Sequence, residues 1–329
     1  MIAAGGVRRL LVGLGVALLP FGPAVAQPPA VPAPEAVAAD DQSVVVEELE
    51  VLGRPPGPAM WRAVRGGSEV VILGEVRPLP HSLVWDTRRV ERALEGAKFL
   101  LLSPQPHIGA VDAVALKLGL GGTVKSGTDL DASLPPDLRA HFDRARERAL
   151  QKPKRYAGLK PAVAGFMLIG DYREAAGLSG AKPGSTLEKL ARKKGVKVRT
   201  ISDFRLGPLA KSAANLSDAE NRACLGEALV QNDHEADHAI EVAKAWAVGD
   251  LRTVRAQYST EVIERCLLRI PSAATLREQG VADTVRTLND ALSKPGKTVA
   301  VVDLGFLLRR NGVLDRLQAG GATISVPLE

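Results

Sequence analysis

The sequence predicts a single α/β domain with a mixed, partly parallel sheet and a large helical insertion. Residues 69–74 form an apolar, β-branched run that stops at a glycine, which is typical of a buried strand leading into a loop. Residues 298–326 have the order strand, helix, strand at the other end of the chain. Helical periodicity dominates between these two regions. The sheet is therefore expected from the N- and C-terminal thirds of the chain, and the helical insertion from the middle.

The opening strands are predicted from turn and cap signals. Trp61 lies in the first strand of a hairpin that turns at residues 66–67 and continues into residues 69–74. Asp86 can cap a helix in which apolar residues recur at i, i+4 and i+7, and residues 98–102 then form another buried strand. Because a strand–helix–strand crossover normally gives a parallel pair, the strands on either side of this helix are expected to be parallel.

The middle of the chain is helical by pattern, apart from a third sheet strand predicted at residues 196–201. Residues 185–188 and 217–220 each match a capping box, which predicts a helix start. Residues 162–176 are apolar on nearly all sides and predict a buried helix, in which Gly165 lowers helix stability. Helices are predicted over residues 107–118, 134–151, 162–176, 185–195, 217–248, 250–257, 261–268, 274–293 and 307–318.

Residues 1–26 predict a secretory signal peptide. Two arginines precede an apolar run at residues 10–21, and Ala24-Val-Ala26 forms a cleavage site before Gln27. The apolar run is shorter than the roughly 20 residues that span a bilayer, and no later segment is long enough, so no transmembrane anchor is expected after cleavage. The mature protein is expected to be periplasmic or secreted.

A tether and one domain are expected after the leader. Residues 27–54 are rich in proline and alanine, which predicts a disordered tether, and residues 43–52 have the composition of a short strand within it. The domain is predicted over residues 55–329.

The net charge argues against a nucleic-acid partner. Removing the two arginines of the leader takes the formal net charge from +6 to about +4. Basic clusters occur at residues 88–92, 152–155 and 189–199, but they lack the interleaved aromatics of nucleic-acid binders, so a solvated surface is predicted. A peptide, an acidic envelope polymer or lipid headgroups stay open as partners.

Cys224 and Cys266 are the only cysteines in the chain. An even pair in an exported protein favours a disulfide, because thiols oxidise in extracytoplasmic compartments.

The pattern MWR…GGSEVVILGEVRPLP…VWDTRRVERALEGAKFLLL resembles the start of the TraB/GumN family, and residues 298–326 resemble its end. The family includes the Tiki-type metalloproteases and is distantly similar to the erythromycin esterases. The resemblance covers residues 55–329 and implies the fold.

The family's metal-binding positions are altered in this chain. The family typically has G-x-x-H after the first strand, and here the motif is Gly74-Glu-Val-Arg77. Where the resemblance implies two glutamates and a second histidine, the chain has Ser103, Ser202 and Phe306. Arginine stays protonated and phenylalanine has no donor atom, so neither binds a metal ion. A divergent family member without metal or other cofactor is expected.

A cleft is expected where the first and last strands end. If these ends meet, as the family fold implies, Glu75, Arg77, Asp303, Arg309 and Arg310 surround the former metal position, and Arg77 can pair with Asp303. An ion pair that fills an inactive cleft is favoured over an anion- or peptide-binding pocket.

An H-E-x-x-H motif gives the alternative. In His234-Glu235-Ala-Asp-His238 the two histidines lie on one helix face and could bind zinc, with Glu235 as general base and Glu261 or Glu264 as a third ligand. The segment is polar on both faces, which favours a solvated helix over a catalytic one.

These observations predict an exported pseudoenzyme that acts as a binding or structural protein of the cell envelope. The alternative is a metal-dependent, peptidase-like hydrolase that uses the H-E-x-x-H motif or a modified family cleft.

Overall fold

A six-stranded mixed sheet lies at the centre of the computed structural model, which describes residues 57–107, 126, 129–205, 215–258 and 261–327. These residues belong to one compact unit, Leu52–Glu329. The predicted signal peptide (1–26), the tether (27–54) with its strand, and nearly all of the helix at 107–118 lie outside the described residues and stay predictions.

The ten strands of the described residues are Met60–Arg65 (β1), Ser68–Glu75 (β2), Leu79–Pro80 (β3), Ala97–Leu102 (β4), Gln105–His107 (β5), Leu178–Ser179 (β6), Lys197–Thr200 (β7), Asp203–Arg205 (β8), Gly296–Asp303 (β9) and Thr323–Ser325 (β10). The helices are Arg88–Leu94 (α1), Leu130–Ser133 (α2), Pro136–Arg148 (α3), Pro161–Ala175 (α4), Gly184–Lys193 (α5), Asp218–Ala247 (α6), Leu251–Gln257 (α7), Glu261–Leu268 (α8), Pro271–Leu292 (α9), Leu304–Leu308 (α10) and Val313–Ala319 (α11).

The strand order of the sheet is β10-β1-β2-β9-β4-β7. The pairs β10–β1 and β1–β2 are antiparallel, and β2, β9, β4 and β7 run parallel. The C-terminal strand β9 thus lies between two strands from the first third of the chain. Residues 298–302 of β9 are all buried, which fits a central strand covered on both faces. The predicted fold class is confirmed, including the helical insertion.

The insertion between β4 and β9 has a hydrophobic core of its own. Its members come from α2, α3, α4 and α6 and from the segments that join α2, α3 and α4, and they include Phe142, Tyr156, Leu168 and Leu225. The rings of Phe142 and Tyr156 meet edge to face with centroids 5.2 Å apart. The buried helix predicted at 162–176 is confirmed as α4.

One of the two predicted capping boxes forms. Ser217 Oγ accepts the backbone N–H of Glu220, and the Glu220 carboxylate accepts the N–H of Ser217, at the start of α6. The capping box predicted at Ser185 is wrong. Pro183 lies before α5 and its carbonyl accepts the N–H of Thr186, so the helix begins earlier and Ser185 falls inside its first turn.

The H-E-x-x-H segment lies in α6, and the solvated helix predicted there is wrong. Gln231, Asn232 and Glu235 are buried because α6 packs against α3, α4, α7 and α8. None of the described helices has an apolar stretch long enough to cross a membrane.

The expected disulfide is present. It joins Cys224 of α6 to Cys266 of α8, and both residues are fully buried.

Gly165 has a packing role that outweighs its low helix propensity. A Cβ at this position would lie 2.7 Å from the Cβ of Ala228 in α6, whereas nothing lies within 4 Å of a Cβ built at Gly170, in the same helix. We expect Gly165→Ala to lower the free energy of unfolding by about 1 kcal/mol, because overpacking outweighs the gain in propensity. Gly170→Ala should raise it by about 0.5–1 kcal/mol. Urea denaturation of both variants measures the difference, and a stabilised Gly165→Ala variant would show that the two helices can separate freely.

The disulfide closes a loop across 42 residues of sequence separation. We expect Cys224→Ala/Cys266→Ala to lower the free energy of unfolding by about 2–4 kcal/mol, because the unfolded chain regains the entropy of the open loop. Denaturation with and without dithiothreitol gives the control: the reductant should destabilise the wild-type protein and leave the double variant unchanged. Equal curves for the wild-type protein in both conditions would contradict the expectation.

Candidate functional site

The candidate site lies at the carboxyl ends of the parallel strands, where open α/β sheets bind ligands. β2 ends at Glu75 and β9 at Asp303, and these two residues are register partners in the parallel pair. Ser103 follows β4, and Thr200 ends β7. The predicted meeting of the first and last strand ends therefore occurs.

The end of β2 is held rigidly. The indole Nε1–H of Trp246, near the end of α6, donates to the carbonyl oxygen of Gly74 at 2.7 Å. Glycine is required at position 74 for the close packing of Leu304 and Trp61, because a Cβ there would lie 2.7 Å from both Leu304 and the ring of Trp61. The position of Glu75 therefore follows from packing around its neighbour.

Glu75 is a buried carboxylate with two donors. Its side chain is 2% exposed, and Oε1 accepts hydrogen bonds from Arg77 Nη2 and from Ser103 Oγ. The hydroxyl of Ser103 also lies 3.0 Å from the carbonyl oxygen of Val301 and shares its proton between these two acceptors. Burial opposes the positive charge of Arg77, but the charge of Glu75 and its hydrogen bond outweigh burial and raise the pKa of Arg77.

The ion pair expected between Arg77 and Asp303 is wrong, because Arg77 pairs with Glu75 instead. Asp303 instead caps α10, because its Oδ1 accepts the backbone N–H groups of Gly305 (2.9 Å) and Phe306 (3.3 Å). The Tyr258 hydroxyl lies 3.4 Å from Asp303 Oδ2 and accepts the backbone N–H of Arg77 at 3.4 Å. Tyr258 therefore connects the ends of β2 and β9.

The cluster changes the pKa values of two of its members. Burial and, after it, the charge of Glu75 raise the pKa of Asp303 to about 6, against the opposing charge of Arg77 and the hydrogen bonds from the backbone of Phe306 and Gly305. Burial, followed by the charge of Asp303, raises the pKa of Tyr258 well above its ordinary value.

A cleft of about 410 Å³ opens beside this cluster, and we call it the strand-end cleft. Glu75, Arg77 and Ser103 form one wall, and the loop before α5 forms another. Its remaining polar and charged lining residues are Gln105, Ser185, Glu188, Arg192, Arg199 and Thr200.

Ser202 is not among these lining residues, although the resemblance places it at a glutamate position of the family. Thr200 lines the strand-end cleft, because β7 ends there. Ser202 lies in the short connection to β8, where its carbonyl oxygen accepts the N–H of Gln105 at 3.0 Å.

Phe306 and Arg309 lie elsewhere than expected. They line a second cavity of about 650 Å³, together with Tyr258. A single cleft containing Glu75, Asp303 and Arg309 was expected, but α10 turns away after its Asp303 cap and carries Phe306 and Arg309 to this second cavity.

The carboxylate of Glu235, in the H-E-x-x-H motif, already has hydrogen-bond partners within the protein. Its carboxylate accepts two hydrogen bonds from Arg173 of α4, at 2.8 and 2.5 Å, and one from Gln231 at 3.2 Å. A general base for zinc hydrolysis would have to leave this buried ion pair. Glu264, expected as a third ligand, pairs with Arg277.

The two histidines of the motif lie on one face of α6, with ring centroids 4.7 Å apart. Nε2 of His234 lies 2.7 Å from the carbonyl oxygen of Gln257, so Nε2 carries a proton. Both histidines line a cavity of about 20 Å³ with Arg77 and Tyr258, which is room for about one water molecule. The guanidinium in this wall repels a metal cation.

Among the described residues, three potential metal ligands converge in one group only, Cys224, Glu227 and Cys266. The two sulfur atoms of this group are bonded to each other in the disulfide.

Sequence reasoning missed Trp246 and Tyr258 as residues of this region, and it missed that α6 brings its histidines to Arg77. No local pattern indicates these contacts, because they join residues far apart in the chain, from 45 positions between Tyr258 and Asp303 to 181 between Arg77 and Tyr258. The large aromatic side chain of Trp246 favours burial in general, but it does not indicate which strand the indole contacts.

The fold and the strand-end cleft define an α/β protein with a cleft at the carboxyl ends of its parallel strands. A family model described as TraB/PrgY/gumN matches residues 59–326. The chain belongs to the TraB/PrgY/gumN family. A search of curated proteins and a search of solved structures each found no match.

The raised pKa of Asp303 predicts a pH dependence of stability. The folded protein binds this proton more tightly than the unfolded chain, whose pKa is near 3.8, so the free energy of unfolding falls as pH rises from about 4 to 6. We expect the stability of the wild-type protein relative to Asp303→Asn to fall by about 1–3 kcal/mol between pH 4 and 7. Asparagine keeps the helix cap.

Urea denaturation at several pH values measures this difference. Asp237→Asn is the control, because Asp237 is an exposed carboxylate on α6. Parallel pH profiles for the wild-type protein and Asp303→Asn would contradict the predicted effect.

Proposed function

We propose that the mature protein is an exported family member that has lost metal-dependent catalysis and binds an anionic ligand in the strand-end cleft. The observation that carries this proposal is the Arg77–Glu75 pair. Arg77 stands where the resemblance implies a metal-binding histidine, and its guanidinium is bound to a buried carboxylate at the wall of the cleft.

The donor atoms around the expected metal position do not fit a divalent ion. Arg77 has only protonated nitrogens, Phe306 has no donor, and Ser103 offers a neutral hydroxyl that is already hydrogen-bonded to Glu75. Glu75 is the one carboxylate in this wall, and the charge of Arg77 compensates its own. A metal ion would have to displace this internal ion pair and would gain few ligands in return.

The charges of the cleft favour an anion. Glu75 is paired with Arg77, and Glu188 with Arg192. Arg199 has no carboxylate partner among the described residues, so one positive charge is left over.

The guanidinium of Arg199 is also held in place. It stacks 4.0 Å above the ring of Phe99, which orients its donors without using them. A carboxylate or phosphate group matches this geometry, because guanidinium donors form a planar fork.

The leader sequence and the disulfide support export. Residues 1–26 have the composition of a signal peptide, and a buried bridge between Cys224 and Cys266 suits an oxidising compartment.

A metal-dependent hydrolase is the second candidate. Nδ1 of His238 is buried and has no hydrogen-bond partner among the described residues, so it could bind an ion from the small cavity next to His234. The buried ion pair of Glu235 with Arg173 weighs against catalysis there.

Zinc binding distinguishes the two functions. The mature protein, without a polyhistidine tag, is incubated with zinc, desalted and analysed by plasma mass spectrometry. We expect zinc well below one ion per chain, unchanged by His234→Ala, because no third ligand from the described residues converges on the histidine face and this face meets Arg77. His141→Ala, on α3, is the matched control. About one zinc per chain, lost in His234→Ala and kept in His141→Ala, would overturn the proposal in favour of the hydrolase.

A further inference from the structure

One edge of the sheet carries an excess of exposed positive charge. Residues 188–199, from α5 and β7, contain six basic side chains and one carboxylate, Glu188. All six basic residues are exposed. We call five of them the basic edge: Lys189, Arg192, Lys193, Lys197 and Arg199. The sixth, Lys194, pairs with Glu95 of the neighbouring helix α1.

The excess is large for this protein. The predicted mature chain has a formal charge of about +4, because the leader contains two of the residues behind the total of +6. Two of the six basic residues are compensated by Glu188 and Glu95. The other four account for an excess of positive charge equal to that of the whole mature chain. The rest of the mature chain is therefore close to neutral, and the positive charge is concentrated at this edge.

Protection of a sheet edge does not explain this concentration. Lysine and arginine on the edge strand β7 would discourage pairing with another sheet, and Lys197 and Arg199 can act in this way. Lys189 and Lys193 lie on α5, which exposes no strand edge.

The basic edge is continuous with the strand-end cleft. Arg192 from α5 and Arg199 from β7 line the same cavity, so the helix and the strand converge there. Lys197 lies at the far end of β7, roughly 10 Å from Thr200 by the rise of a strand. A ligand that starts in the cleft and follows β7 therefore passes along a series of positive charges.

The chemistry of this surface fits a hydrophilic polymer. Among the described residues, the large exposed apolar side chains all lie outside α5 and β7. Membrane binding and protein interfaces normally use apolar or aromatic anchors in addition to charge. The cleft offers hydroxyl and amide groups instead, from Ser185, Thr200 and Gln105, which suit sugar hydroxyls.

We propose that the strand-end cleft and the basic edge together bind an acidic polysaccharide, with a carboxylate-bearing sugar in the cleft and the following sugars along β7. This inference rests on the proposed function, because it names the ligand class of the same cleft. The binding contacts are exposed and electrostatic, so affinity should fall steeply with salt.

Oligogalacturonates of defined length test the inference, by titration calorimetry with the mature protein. We expect affinity to increase from the monomer to longer oligomers, because each added sugar reaches a further basic residue. The charge-reversal variant Lys189→Glu/Lys193→Glu/Lys197→Glu should bind a long oligomer about tenfold more weakly at low salt, and Arg199→Ala should weaken both monomer and oligomer. Lys244→Glu, an exposed lysine on α6, is the matched control and should bind as the wild-type protein does.

Other outcomes would overturn the inference. Equal affinity for monomer and oligomer, unaffected by the triple charge reversal, would show that the basic edge takes no part in binding. The cleft would then be a site for a small anion, and the proposed function would still hold. Vesicles containing phosphatidylglycerol that bind the protein when oligogalacturonate does not would assign the basic edge to a membrane surface. Binding of uncharged dextran as strongly as oligogalacturonate would show that charge is not used.

Discussion

The structure depends on the parallel pairing of β2 with β9, two strands that lie more than 200 residues apart in sequence. The pairing extends over eight register pairs, from Ser68 opposite Gly296 to Glu75 opposite Asp303. It closes the sheet around the helical insertion, and it brings two carboxylates side by side at the strand ends. Glu75 is buried and Asp303 is half-buried, and two negative charges so close need compensation. Arg77 supplies it for Glu75, whereas Asp303 uses backbone N–H groups and has a raised pKa.

Much of the fold could be predicted from the sequence, because its signals are local. The apolar run of β2, the glycine turn of the hairpin and the capping box at Ser217 each depend on a few neighbouring residues. The site was harder to predict from the sequence, because its geometry comes from contacts between distant elements. Arg77 and Phe306 were visible in the sequence as departures from the family pattern. No local signal shows that Arg77 forms its ion pair with Glu75 rather than with Asp303. The polar composition of the H-E-x-x-H segment also led to the wrong prediction of a solvated helix, because Glu235 is buried with Arg173, a partner 62 residues away.

The proposed loss of a metal site and the presence of the Arg77 guanidinium at that position would be one structural change. A buried carboxylate such as Glu75 is tolerated beside a metal ion or beside a guanidinium, since either one compensates its charge. In this chain the guanidinium of Arg77 compensates the charge of Glu75. Its position at the cleft wall means that the residue that compensates Glu75 is also the one that a ligand in the cleft would meet.

The central position of β9 also has a consequence for biosynthesis. β2 and β4 are separated in the sheet by a strand that is translated some two hundred residues later, so each has an unpaired edge until residues 296–303 are available. Contacts of such long range form slowly, because a large loop must close first. The sheet therefore cannot be completed while the ribosome is still making the insertion. A chain of this design completes its sheet only after β9 has been synthesised, and it remains open to factors that bind unfolded polypeptides until then.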